Sequence, residues 1–428
     1  MKHFSRAAFL ILPALAIIAS AAPAPSPAYR VGKVDGVWWL ISPRGRLTVA
    51  AGVDNVNYRG DVIEHSHVFP YHAQVRKLYG TQSAWARVEL GRLRRWGFNN
   101  LGAWTTPFLW QRKMPYTVIL DIAARAGANW QKGRPVDVFS PRFAATARRI
   151  ARRQCAPRRN DPELLGYFSD NELRWGPDWR GKQNMLSMYL HLPAGSPGRR
   201  RAIAFLRQRY GRIARLNQAW GTHFTGFASL IAHWPARSHG KKFQADNAAF
   251  LGIVARRYFD VCARAIHAAD PNHLYLGAKF AGMPPAPVAR AARAADVVSV
   301  DIYNYDPRPI VRRLYQLSGR PILVAEFAFR ATNSGLPNTQ GAGPKVASQQ
   351  ARGAAYRKFV LRLESLPEAV GYQWFEWCDE PRQGRFDGEN SNYGLVNIKD
   401  HPYAVFVRAV TAANQAALAA HRSIMQLP

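Results

Sequence analysis

Pro321-Ile322-Leu323-Val324-Ala325-Glu326 is a run of four apolar residues behind a proline, closed by a single carboxylate. A short, wholly apolar run reads as a strand buried on both faces, as in parallel sheets covered by helices. A lone charge at the end of such a run marks either an ion-pair partner or a functional position. Working outward, seven more strand-like segments can be placed, at 48–53, 99–102, 117–121, 164–168, 274–278, 297–301 and 369–374, with 322–325 seventh in chain order. Amphipathic stretches at 83–96, 141–153, 248–269 and 347–363 fall between them. Strands alternating with helices predict an α/β fold with a parallel sheet. Eight such units predict a closed (β/α)8 TIM barrel. The alternative, an open doubly wound sheet, calls for a Gly-rich phosphate turn after an early strand, and no G-x-G-x-x-G occurs there.

Two additions to the barrel are legible. Segments 29–34 and 37–41 flank Asp35-Gly36, a two-residue hairpin signal, and a second turn at Pro43-Arg44-Gly45 leads into 47–53. After strand four, residues 173–247 form a long insertion with its own helix around 200–220, expected to overhang the strands' C-terminal ends. The domain is set at 28–415, with 416–428 as a C-terminal tail.

Lys2 and Arg6 precede an apolar run at 7–18 and small residues to Ala22, the pattern of a secretory signal peptide over 1–24 with cleavage near Ala22 or Ala24. The alternative is an uncleaved anchor, but the run falls short of the ~20 apolar residues that a membrane span needs. The protein is therefore expected to be secreted or periplasmic, with no stable membrane insertion once the signal is removed.

A composition of 48% hydrophobic and 12% aromatic residues allows a large core. Three cysteines, Cys155, Cys262 and Cys378, permit at most one disulfide and show no C-x-x-C spacing, so neither a disulfide scaffold nor a structural zinc site is expected. The net charge of +32 allows three readings: nucleic-acid binding, an anionic polysaccharide partner, or a surface bias of the host's exported proteins. The arginines are dispersed in pairs such as Arg94-Arg95, Arg152-Arg153 and Arg312-Arg313, with no basic tail and no nucleic-acid-binding motif, which favours the surface bias and argues against a nucleic-acid partner. Oligomeric state is left open.

Barrel enzymes hold their chemistry at strand C-termini. Two of those positions carry glutamates: Glu172, after Leu164-Leu165-Gly166-Tyr167-Phe168-Ser169-Asp170-Asn171, and Glu326. Strands four and seven face each other across a barrel mouth. A facing pair suits glycoside hydrolysis, in which one carboxylic acid protonates the leaving oxygen and one carboxylate attacks or activates water. Glu172 is read as acid/base and Glu326 as nucleophile. The plainer reading makes each an ion-pair partner in an arginine-rich chain, and Asp170 competes with Glu172. Asp54 and Asn55, past strand one, are candidates for sugar hydroxyl contacts, and Trp104, past strand two, for an aromatic platform.

These motifs resemble the retaining (β/α)8 glycosidases of clan A, which use an Asn-Glu acid/base after strand four and a glutamate nucleophile after strand seven. Arg209-Tyr210-Gly211 with Leu216-Asn217-Gln218-Ala219-Trp220-Gly221-Thr222 is similar to an insertion of family-42 β-galactosidases. Tyr372-Gln373-Trp374-Phe375-Glu376-Trp377-Cys378-Asp379-Glu380-Pro381 and Asp387-Gly388-Glu389-Asn390-Ser391-Asn392-Tyr393-Gly394-Leu395-Val396 resemble the eighth-strand region of agarase-like enzymes. The resemblance spans most of 35–410. It implies that Asn171 binds the sugar 2-hydroxyl, that Tyr303 orients Glu326, that Trp374 floors the cleavage subsite, and that Gln373 and Glu376 touch substrate. Two of these roles have a plain structural alternative, core packing for Tyr303 and helix capping for Asn171. Agarase-like sequences often carry His in place of Gln373 and Gln in place of Glu376 and Glu380, which leaves the sugar open. The added acids fit a different sugar or a local arginine such as Arg382.

The expected activity is double-displacement hydrolysis of a β-linked poly- or oligosaccharide, galactose-containing if the agarase-like resemblance extends to the substrate, without a cofactor. The alternative is a carbohydrate-binding barrel without catalysis. His65-Ser66-His67 with His72 fits no standard zinc spacing, so no metal is expected. Cys378 has no activating histidine nearby in sequence, and no G-x-S-x-G elbow occurs.

Overall fold

The computed structural model describes residues 24–230 and 240–426. The signal-peptide reading thus lies outside the described residues, apart from Ala24. Strands β1 (Arg30–Val34) and β2 (Val37–Ile41) pair antiparallel across Asp35-Gly36, and β3 (Leu47–Thr48) adds to β2. The principal sheet takes β4 (Ala50–Val53), β5 (Asn100–Leu101), β6 (Tyr116–Ile119), β7 (Leu164–Phe168), β8 (Leu274–Tyr275), β9 (Phe280–Ala281), β10 (Val298–Asp301) and β11 (Ile322–Glu326). A small parallel ladder, β12 (Arg330–Ala331) with β13 (Lys345–Val346), interrupts the sequence before β14 (Ala369–Trp374) completes the principal sheet.

That sheet has nine strands, all parallel, in the order β8-β7-β6-β5-β4-β14-β11-β10-β9. Its two edge strands are consecutive pieces of one stretch of chain, parted by residues 276–279. The sheet therefore curls so far that its edges converge. Leu276 N–H donates to the Tyr167 carbonyl and Gly282 N–H to the Asp301 carbonyl, so this stretch is bonded to the sheet on both sides. The segment expected as one strand at 48–53 is two: Thr48 belongs to the antiparallel β3, and the parallel strand starts at Ala50.

Side chains of the strands separate into two cores. Leu323 and Ala325 join Ala50, Leu165, Phe168, Leu276 and Val370 inside the curl, where Leu40 of β2 closes one end. Ile322 and Val324 point the other way, toward the helices. Strict alternation would send Glu326 outward too. The ladder instead shifts register between Val300 and Asp301, pairing Val300 with Val324 but Asp301 with Glu326. This bulge inserts one residue and turns Glu326 to the inner side, as bulges beside functional sites do. On β14, Gly371 sits at φ +131 where an added Cβ would lie 2.2 Å from the Ala50 carbonyl oxygen, so only glycine lets these strands approach.

Two boundaries differ from the sequence reading. The long helix after the insertion runs Lys241–Ala269, starting before 248. Residues 241–247 look polar, yet Asp246 accepts from Tyr210 Oη (2.5 Å) and Trp220 Nε1 (2.8 Å), and Asn247 accepts from the Leu186 amide (3.0 Å). These tertiary contacts extend the helix where its sequence pattern does not. The boundary at 415 falls inside helix Ala404–Ser423. His421, expected in a tail, is buried edge-on against Trp39 at 4.5 Å and bonded to the Trp38 and Glu364 carbonyls, so this segment belongs to the packed domain. Among the described residues, no helix is long and apolar enough to cross a membrane.

Candidate active site

The C-terminal ends of the parallel strands surround a cavity of about 460 Å³ lined by Asn55, Trp104, Asn171, Glu172, Tyr303 and Glu326, among others. Glu172 reaches it from the loop after β7 with φ +42, a left-handed conformation uncommon for a residue with a side chain. Its amide donates to the Lys279 carbonyl at 2.8 Å, and its own carbonyl accepts from Arg180 Nη1 at 3.0 Å. Burial, and then the negative charge of Glu326, push the Glu172 carboxyl up to about 8, so it holds its proton at neutral pH.

Glu326 is gripped at both oxygens. Tyr303 Oη donates to Oε2 at 2.6 Å, and the Lys279 ammonium bonds Oε1. Glu172, Asp301 and Glu326 bring carboxylate oxygens within 4.8 Å of one another. Such a trio would ordinarily call for a cation, and here the Lys279 ammonium supplies the positive charge. The facing glutamates read from sequence are thus brought together.

Asp170, the competitor, is committed elsewhere: it accepts from the Ala123 amide at 2.8 Å and Tyr258 Oη at 2.6 Å, anchoring the start of helix Ile122–Arg125. Asn171 lines the cavity and its Oδ1 accepts no hydrogen bond within the protein. Asn55 and Trp104 also line it.

Four expected contacts are not at the cavity wall. Trp374 is fully buried, its indole N–H bonded to the Tyr393 carbonyl at 2.9 Å and its ring packed on Phe327 and Phe406; Phe375 lines the cavity in its place. Strand alternation explains this, since the two neighbours face opposite sides of β14 as it ends. Gln373 lies inside the curl, donating to Asn100 Oδ1 at 3.3 Å and Thr117 Oγ1 at 3.4 Å. Asp54 is buried beneath the cavity, accepting from the Ala103 amide at 2.8 Å. Glu376 is buried as well, and its Oε2 accepts from Asn55 Nδ2 at 2.6 Å.

The added acids find an arginine, but it is Arg385 rather than Arg382. Arg385 pairs with Glu380 at 3.1 Å, Asp387 at 2.9 Å and Glu389 at 2.9 Å, whereas Arg382 donates to the Gly335 carbonyl on the surface. Asp61, Arg385, Asp387 and Glu389 form one wall of the cavity. Burial raises the carboxyls of Asp61 and Glu376, and Arg385 opposes the rise in both.

Sequence reasoning missed Lys279, Asp301, Phe375 and the Arg385 wall. Lys279 carried the same signal as Glu326, a lone charge in the apolar stretch Leu276-Gly277-Ala278-Lys279-Phe280-Ala281. Of the histidines, His65 is exposed beside Glu64 and His72 stacks edge-on to Tyr58; among the described residues they form no cluster with other metal-binding side chains. The three cysteines are free and buried, and burial raises the Cys378 thiol, which leaves it inert.

A curled parallel α/β sheet with two facing glutamates at its strand ends resembles the agarase-like glycoside hydrolases. Beta-agarase B of Vibrio sp. (strain JT0107) is 28% identical over 460 aligned positions, covering 90% of this chain and 48% of that protein. Beta-agarase A of the same strain is 29% identical over 452 positions, covering 89% and 44%. A solved exo-beta-agarase superposes with a TM-score of 0.82 at 25% identity, covering 94% of this chain and 66% of the other. The chain spans about half the length of the curated relatives it matches. No family model matches it.

Proposed function

We propose that the protein is a retaining β-glycosidase that cleaves an agarose-type, β-linked galactose-containing polysaccharide or its oligosaccharides. The observation that carries this reading is the Glu172–Glu326 pair, with carboxylate oxygens within 4.8 Å across one cavity. Retaining enzymes hold their carboxyl groups about 5–5.5 Å apart, and inverting ones leave room for a water at about 6.5–9.5 Å. The similarity to agarases over most of the chain supports the substrate class.

Protonated Glu172 gives its proton to the departing glycosidic oxygen while the Glu326 carboxylate, held by Tyr303, attacks the anomeric carbon. The glycosyl-enzyme is then opened by water, which Glu172 deprotonates. Asn171 Oδ1, free of protein partners, accepts from a sugar hydroxyl, and Trp104 and Phe375 offer apolar surface to the ring. The architecture is read as a closed (β/α)8 barrel, with β8 and β9 the two halves of its fifth strand. Residues 1–24 are read as the signal that exports it.

Time-resolved proton NMR of the products from agarose oligosaccharides tests the reading. First-formed product with the β-anomeric configuration of the substrate supports it, and α-anomeric product refutes the retaining mechanism. Sugar binding without turnover over a broad panel would favour a binding barrel.

A further inference from the structure

Lys279 is fully buried, with three carboxylates around its ammonium. Glu326 of β11 is in direct contact, Asp54 after β4 lies 3.7 Å away, and Asp301 of β10 lies 3.9 Å away. Two aromatic faces close the remaining sides, Trp104 with its ring centre at 4.1 Å and Phe168 at 5.9 Å. Two more distant carboxyls feel the group: burial raises both Asp121 and Glu172, and the Lys279 charge partly opposes that rise. Arg180 and Glu389 act electrostatically on Glu172, and Arg385 and Glu389 line the cavity.

One ammonium facing three buried carboxylates cannot balance three negative charges in a low-dielectric interior. Charge must concentrate where it is best solvated, and the hydrogen bonds decide where. Glu326 receives two donors, Lys279 Nζ and Tyr303 Oη, whereas both Asp301 oxygens and Asp54 Oδ2 accept no hydrogen bond. Burial correspondingly raises Asp54 and Asp301 well above the usual carboxylate range. The same residue ties down the other glutamate through its main chain: the Lys279 carbonyl accepts the Glu172 amide, and the Lys279 amide donates to the Asp170 carbonyl at 3.0 Å.

We propose that Lys279 is the positioning residue that divides the labour of the two glutamates, reserving the cluster's negative charge for Glu326 and locking the loop that presents Glu172. The inference rests on the glycosidase reading and adds a residue that acts through Glu326 without itself touching the sugar. Opposite charge within about 4–6 Å favours the ionised form of a carboxylate, so removing the ammonium should make the charged form harder to reach.

The test is the pH profile of kcat/KM for the wild type, Lys279→Met and Lys279→Arg on one agarose oligosaccharide, with thermal unfolding followed for each. Lys279→Met is expected to move the acid limb up by about 1 pH unit or more and to lower kcat about 100-fold, while Lys279→Arg keeps the limb in place. A folded Lys279→Met enzyme with an unmoved acid limb overturns the inference, as does an equal shift in both variants. Should Lys279→Met not fold, Lys279→Arg decides: an unmoved limb supports the inference and a displaced one overturns it. An inactive wild type would instead remove the glycosidase reading, so the two failures are distinguishable.

Discussion

Tyr303 Oη donates to Glu326 Oε2 at 2.6 Å, joining the loop after β10 to the last residue of β11. This contact fixes one oxygen of the proposed nucleophile. It holds that carboxylate in the orientation needed for attack, so its loss should be felt more in catalysis than in folding. Tyr303→Phe removes a hydrogen bond to a charged group, worth about 1.5–3 kcal/mol, which corresponds to roughly a 10- to 150-fold loss of kcat/KM. Steady-state kinetics and a melting curve check this. A loss of stability with kcat/KM unchanged would make Tyr303 a packing residue.

The Glu172 carboxyl, raised to about 8 by burial and by Glu326, sets the basic limb of the activity profile. Activity should fall as pH rises through about 8, because the acid form is the proton donor. The sign for stability follows from the same shift. A carboxyl whose folded value lies above its unfolded one binds protons more tightly when folded, so its contribution is fully present at low pH and is lost as pH rises toward about 8. Glu172→Gln should therefore raise the melting temperature more at pH 8 than at pH 5, measured by calorimetry. An equal change at both would contradict the buried, protonated acid.

Trp374 and Phe375 are neighbours with opposite duties, one buried among Phe327, Tyr356 and Phe406, the other on the cavity wall. Trp374→Ala is expected to cost about 3–5 kcal/mol of stability through the cavity it leaves. Phe375→Ala should chiefly raise KM. Urea unfolding and kinetics on both variants separate the two, and the reverse pattern would put Trp374 back in the sugar site.

Much of this was legible in the sequence because it depends on local pattern. The run ending in Glu326 declared a buried strand and a misplaced charge at once, and Asp35-Gly36 declared its hairpin. What stayed hidden depends on distant partners. Nothing near Trp374 tells which face of β14 meets Phe406, and nothing near Glu376 tells that Arg385 will approach it. Residues 241–247 join the helix where Tyr210 and Trp220 offer donors to Asp246 and the Leu186 amide offers one to Asn247. Even Glu326 points into the cavity only through a bulge that the apolar pattern does not announce.

The wall around Arg385 carries a prediction of its own. Arg385→Ala leaves Glu380, Asp387 and Glu389 without their common partner. Breaking a buried pair by removing one side typically costs about 3–5 kcal/mol. The loss should shrink at lower pH as the orphaned acids take up protons, which melting curves between pH 5 and 8 would reveal. A pH-independent loss would mean that packing of the arginine, and not its charge, is what holds the wall.

The most direct test of the central claim is hydrolysis of agarose and a panel of aryl β-glycosides by the wild type, Glu172→Gln and Glu326→Gln. The account predicts that the wild type releases sugar and that Glu326→Gln loses activity by several orders of magnitude on every substrate. Glu172→Gln should lose most on substrates whose leaving group needs a proton. Undiminished turnover by Glu326→Gln would contradict it.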